Sequence, residues 1–339
     1  MHARHVPETI FYRWAIRELA TVLACEPTTE AVLAARGRMS SEVLARRLLG
    51  EANIAVLLVD HGYRTDETWR PLELAAQVPC RVLPILRLET LAQELIVRHP
   101  TFDAMVDAFS ATVEQARADG YVGLKSIIAY RTGLAVQAIS RGDAVAAFGP
   151  VKDRARREGR VRLADKPLND YLLLRALEIA ERQGMPVQIH TGFGDSDLDL
   201  REANPLHLRS LLESGRYANV PFVLLHASYP YVRELGYLAA IYPNVWADVG
   251  LAIPHLAAEI PTVLRQVFGL TPTSKVVYSS DASQIPELFW LAARWGRRGL
   301  GTVLDELVAL GAFDVSEALA VGRRVLGENA AAIYGVPWP

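Results

Sequence analysis

Seven short apolar runs recur along the chain with helical stretches between them: IAVLLVD (54–60), RVLPILRLE (81–89), YVGLKSIIAY (121–130), VQIH (187–190), FVLLH (222–226), NVWADVG (244–250) and KVVYSSD (275–281). They are continuously apolar rather than alternating, the pattern of parallel strands covered on both faces. The segments between them read as helices. They are PTTEAVLAARGRMSSEVLARRLLGEA (27–52), broken at Ser40-Ser41, then 90–99, 102–120, 169–184, 205–215 and 231–243, followed by a helical tail. Strand alternating with helix, with no polar linker and no internal repeat, predicts one α/β domain.

Two architectures suit this many β/α units, an open doubly wound sheet or a closed (β/α)8 TIM barrel. The first requires a glycine-rich GxGxxG turn after the opening strand, and VDHGYRTDET does not supply it. The barrel is therefore expected, as one unit over 1–339 with a helical N-terminal segment (1–53), the barrel strands and helices (54–300) and C-terminal helices (301–339). Seven strands are legible rather than eight.

Composition narrows the function. Of 339 residues 51% are hydrophobic and 22% charged, and the net charge of −2 argues against nucleic acid or an anionic membrane as the main partner. Cys25 and Cys80 have no metal-type spacing and read as buried thiols of a reduced, cytoplasmic protein. No signal-peptide core and no membrane-length apolar run is present. The expected partner is a small-molecule substrate, and a homo-oligomer is compatible with the sequence.

Chemistry is expected where a parallel barrel displays it, at the C-terminal ends of the strands. His190, His226 and Asp281 hold that position on three separate strands. Each has a structural alternative, a satisfied histidine or a turn-fixing aspartate. Three together in the order His, His, Asp point to a divalent metal site, for which Zn²⁺, Mn²⁺ and Fe²⁺ all accept such N/O ligands.

At these residues the chain resembles the amidohydrolase superfamily of metal-dependent TIM barrels, its amidohydrolase-2 branch, and in particular the amidohydrolase-type half of FluG-like proteins. The resemblance is carried by GLKSIIAYRTGL (123–134), IHTGFGDSDLDLREANPLHLRSLLE (189–213), VLLHASYPYVRELGYLA (223–239), NVWADVGL (244–251), YSSDASQIPELFWLA (278–292) and NAAAIYG (329–335). It implies metal ligation by His190, His226 and Asp281, with Zn²⁺ as the first choice of metal. Asp281 would also act as proton shuttle, and His226 would help polarise the substrate. Lys125 would be either a carbamylated metal ligand or an uncarbamylated cation facing an anionic substrate. Members of the family open on a strand ending in His-x-His, and no such strand stands here. MHARHVPETIFYRWAIREL resembles the helical region that follows it, and His2 and His5 lack an apolar run before them. Two readings of the gap stay open: a natural protein that carries the strand ahead of Met1, or a site reduced to the later strands.

The implied activity is hydrolysis of an amide or related C–N bond of a small polar substrate by metal-activated water. The alternatives are non-oxidative decarboxylation and a metal-free binding module on the same barrel. Arg131 and Tyr229 are the expected substrate contacts, Arg131 because guanidinium grips a carboxylate with two hydrogen bonds. Asp60, His61, Asp195, Asp197, Asp199, Asp248 and Glu287 lie near the same strand ends. DSDLDL lacks the spacing of a calcium loop and is expected to cap the following helix. Trp290 and Trp295 are expected in helix packing.

Overall fold

The computed structural model describes residues 2–60, 62 and 71–338. Seven parallel strands form one sheet in sequence order: β1 (Val56–Asp60), β2 (Arg81–Arg87), β3 (Gly123–Ser126), β4 (Val187–Ile189), β5 (Phe222–Leu224), β6 (Val245–Asp248) and β7 (Val276–Val277). All seven expected runs are strands, each shorter than its apolar stretch, because the chain turns away where the site begins. Among the described residues β1 and β7 do not pair with each other, so the sheet curls as an open barrel of the TIM type. Register holds the strand ends level: Arg87 lies beside Lys125, Lys125 beside Gln188, and Gln188 beside Val223.

Two apolar layers flank the sheet. The larger lies between strands and helices and includes Leu124, Val187, Leu224 and Ala247. The smaller fills the barrel interior with Ile85, Val223, Leu225 and Val277, closed from below by Tyr334 and Val336 of the C-terminal segment. There Gln188 Nε2 donates to Tyr334 Oη at 2.8 Å, which satisfies a polar side chain inside the barrel. The inner strands β3 and β5 are buried throughout, whereas every residue of the apolar edge strand β1 is only half-buried.

The N-terminal segment is helical over Ile10–Leu23, Thr29–Arg36 and Ser41–Glu51, the last two capped by Thr28 and Ser40. Trp14 stacks on Trp295 at 4.5 Å, and Trp295 is fully buried. The helices that went unread in the sequence include Arg141–Glu158 and Ile260–Leu270. Gly142, Gly149 and Pro150 disguise the first as loop. Tertiary contact sustains it: Lys152 donates to the carbonyls of Ile96 and Val97 at 2.7 and 2.9 Å, at the end of the helix Leu88–Arg98.

Candidate active site at the strand ends

β4 and β5 are neighbours, so His190 and His226, each just past its strand, meet side by side. Their ring centroids are 4.5 Å apart with the planes tilted by 59°. His190 is 4% and His226 1% exposed. His190 Nε2 and both ring nitrogens of His226 have no hydrogen-bond partner among the described residues. Burial first, then the positive charge of Lys125 nearby, holds the His226 imidazole well below its ordinary pKa. For His190 the order is burial, the neighbouring His226, then Lys125. Both rings are therefore neutral at pH 7, with lone pairs unspent.

The loop geometry around them is strained in a way sequence reading does not reveal. His226, Ala227 and Ser228 all lie at positive φ (69°, 52° and 48°), a conformation costly for non-glycine residues and concentrated at functional sites. Neighbours hold the turn in place. Thr191 Oγ1 lies 2.7 Å from both the Leu225 carbonyl and Ser228 Oγ, and the Phe193 N–H donates to the Tyr229 carbonyl at 2.7 Å. Asp248 Oδ1 accepts from the backbone N–H groups of His226 and Gly250 at 3.2 and 2.9 Å. Burial raises the Asp248 carboxyl to about 6 even against these donors.

The glycines of HTGFGD answer to the same crowding. A Cβ on Gly192 would stand 2.3 Å from the Ser228 carbonyl carbon, and one on Gly194 would stand 1.9 Å from Tyr130 Oη. Tyr130 Oη accepts from the Asp195 N–H at 3.0 Å, and its ring packs on His190 at 4.5 Å.

On the other side of the histidines the ends of β1, β2 and β3 form a buried ion cluster. Asp60 Oδ2 accepts from Arg87 Nε at 2.8 Å and lies 3.4 Å from Lys125 Nζ, while Asp60 Oδ1 accepts from the Gly62 N–H. Beneath it Ser126 Oγ donates to Glu89 at 2.6 Å and accepts from the Ile128 N–H, tying down the turn that carries Tyr130 and Arg131. Glu89 is fully buried, and burial raises its pKa.

A cavity of about 2100 Å³ joins these groups; Lys125, Arg131, His190, His226 and Asp281 all line it. It is larger than an ordinary ligand pocket because it continues between the unpaired edges of β1 and β7. Asp281 sits exposed on its rim with φ 52°.

The structure separates the expected residues into three groups. It brings His190 and His226 together. It pairs Lys125 with Asp60 at 3.4 Å. It seats Tyr229 against Phe193 at 5.4 Å, outside the residues that line the cavity. Among the described residues no group of three or more His, Cys, Asp or Glu is arranged to hold a metal ion. The unspent imidazole nitrogens fit two ligand positions of a divalent ion, and Asp281 is not drawn in to complete the set.

The loop aspartates do not cap the next helix as expected. Asn204 does, accepting from the Leu206 N–H, while Asp197 and Asp199 pair with Arg162 and Arg201. Glu287 pairs with Arg36 at 3.0 Å and does not line the cavity. His61 lies outside the described residues. Arg87, Tyr130 and Glu89 were not singled out in the sequence. Arg87 could have been, since it ends an apolar run just as His190 and His226 do.

Comparison with known proteins agrees with this geometry. The amidohydrolase family model matches residues 99–336, and the chain belongs to that family. Over 236 residues it is 39% identical to protein fluG of Emericella nidulans; the match covers 67% of this chain and 27% of fluG, so the chain spans about a quarter of that relative's length. A solved Lactobacillus casei ATCC 334 protein described as a metal-dependent hydrolase is 32% identical with a TM-score of 0.87, covering 97% of this chain and 85% of that one. The uronate isomerase of Thermotoga maritima shares the fold at 13% identity and a TM-score of 0.68, over 98% of this chain and 80% of the isomerase. Among the described residues no helix is long and apolar enough to cross a membrane.

Proposed function

We propose that this chain is a metal-dependent hydrolase acting on an amide or related C–N bond of a small polar substrate. One observation carries the reading: two buried, neutral imidazoles face each other at adjacent strand ends with ring nitrogens unspent. Leaving such groups unsatisfied in a core costs about 1–3 kcal/mol each, so a ligand that claims them is the economical explanation. His190 and His226 would hold the ion, and Asp281 would approach from the rim. A bound divalent ion, Zn²⁺ being the first candidate, supplies Lewis acidity and lowers the pKa of water to about 7.

The chain's own residues supply the rest. Burial, reinforced by the charge of Lys125, keeps both histidines unprotonated, the state that ligates. Tyr130 and the Thr191–Ser228 contact fix where the rings point. Asp281, with access to solvent, would accept a proton and deliver it to the leaving nitrogen. Protein purified without chelator and analysed for metals should hold, or take up from micromolar Zn²⁺ or Mn²⁺, close to one ion per chain. His190→Asn should abolish that uptake. Uptake that the variant leaves intact would overturn the site.

A second reading, non-oxidative decarboxylation, is favoured by the Arg131 guanidinium in the same cavity, which matches a carboxylate. Product analysis separates the two: carbon dioxide in one case, an amine or ammonia in the other.

A further inference from the structure

Tyr130 is held at backbone, ring and tip. Its N–H donates to the Ile127 carbonyl at 2.9 Å, its carbonyl accepts from Arg162 at 3.3 Å, and its Oη accepts from the Asp195 N–H at 3.0 Å. The ring packs on His190 at 4.5 Å with the planes tilted by 53°. The turn that carries it is tied through the Ile128 N–H to Ser126, and through Ser126 to Glu89. The freedom left to such a side chain is the direction of its own hydroxyl proton. No described residue accepts that proton, and the half-buried ring lines the cavity.

Gly194 sets what the hydroxyl faces. A Cβ there would stand 1.9 Å from Tyr130 Oη and 3.1 Å from His190 Nε2, so both atoms look into the same small space. Gly194 is not among the residues at positive φ, so its backbone conformation is open to other residues. What glycine supplies at this position is room. His190 Nε2 brings an unspent lone pair to that room and Tyr130 Oη an unspent donor, yet the two form no hydrogen bond with each other. A carbonyl oxygen polarised beside His190 comes within reach of the phenol.

We propose that Tyr130 is a catalytic residue, its hydroxyl donating to the substrate carbonyl oxygen as that oxygen takes up charge. This inference rests on the hydrolase reading. Water adds to the carbonyl carbon and the C=O π pair moves onto oxygen, where the Tyr130 proton meets it without leaving Oη. When the C–N bond breaks, the pair returns to the carbon–oxygen bond. The departing nitrogen takes the proton that Asp281 received from the water. The donor is fixed before the substrate arrives, so none of its position has to be found during the reaction. Removing one such preorganised donor typically slows turnover about 10²–10³-fold.

The intact chain loaded with Zn²⁺ is compared with Tyr130→Phe, which keeps the ring against His190 and removes only the hydroxyl. Metal content should be the same in both. Acetohydroxamate, whose oxygen stands in for the charged carbonyl oxygen, should bind the loaded parent. It should bind Tyr130→Phe about tenfold or more weakly, since a hydrogen bond to a charged group contributes on that order. Azide, which ligates through nitrogen, should bind both within about twofold. Gly194→Ala, whose methyl would take the place of the hydroxyl, should give the same selective loss, and it serves if the phenylalanine variant misfolds. A parent that takes up no metal would sink the hydrolase reading and this proposal with it. Three results would overturn Tyr130 alone and leave the metal site standing: a loaded parent that does not bind hydroxamate, hydroxamate binding unchanged by Tyr130→Phe, or hydroxamate and azide weakened alike.

Discussion

Replacing Gly192 with alanine tests whether the strained His226 turn is held by direct backbone packing. Gly192 sits at φ 70°, and an added Cβ would lie 2.3 Å from the Ser228 carbonyl carbon and 2.5 Å from the Tyr229 oxygen. Two costs add. Placing an L-residue in the left-handed region costs about 1–2 kcal/mol. Forcing a methyl against backbone that cannot rotate away costs roughly 1–3 kcal/mol more. The expected loss is about 2–5 kcal/mol, a large part of the roughly 5–15 kcal/mol that stabilises a typical domain.

Gly184 supplies an internal control, because its φ is 58° but nothing lies within 4 Å of the added Cβ. Gly184→Ala should show only the conformational cost, about 1–2 kcal/mol. Urea unfolding followed by tryptophan fluorescence and far-UV dichroism gives both values, provided the m-value is unchanged. If the two variants lose the same stability within 0.5 kcal/mol, roughly the limit of such comparisons, the backbone approach does not hold the turn and the reasoning fails. If they differ as expected, Gly192→Ala should also weaken metal uptake, because the displaced backbone carries His226.

Two further outcomes follow from the same contacts. Asp281→Asn should remove hydrolytic turnover with little loss of stability, since asparagine tolerates the positive φ of 52° and the side chain is exposed; near-native turnover would dismiss Asp281 as the proton shuttle. Glu89 gives a pH signature: its pKa is raised from 4.5 by burial, so the folded state binds more protons than the unfolded one, and stability falls as pH rises above 4.5 through the folded value. Glu89→Gln removes that dependence, and its stability relative to the parent should climb between pH 4 and pH 8; a difference independent of pH would show that Glu89 folds already ionised.

The amino-acid sequence determined the parts of this protein that depend on local pattern. Continuous apolar runs such as FVLL and VVY must be buried on both faces, which fixes parallel strands covered by helices. The polar residue that ends each run then falls at the strand ends without any knowledge of the fold. His190 and His226 were legible for that reason, Arg131 as the cation following such a run, and so was the deficit of one strand; Lys125, inside its run, was reached only through the family resemblance. Helix Arg141–Glu158 was not legible, because its glycines and proline contradict its state locally and tertiary contacts override them: Ala144, Phe148, Val151 and Ala155 are buried in the core and Lys152 bonds to Ile96 and Val97.

Tertiary structure alone decided what the strand-end residues do to one another. Sequence leaves Lys125 open between a carbamylated ligand and a cation; packing adds its neighbour, Asp60, 3.4 Å away. Arg87 ends an apolar run as His190 does, but its partner Asp60 and its place beside Lys125 are visible only in the fold. Tyr229 was drawn in by its closeness to His226 along the chain, but three successive residues at positive φ redirect the backbone and turn it toward Phe193. The physical reason is range. Hydrophobic periodicity is written over a few neighbours, whereas charge pairing, backbone strain and the matching of cations to anions depend on residues brought together from seven separate strands.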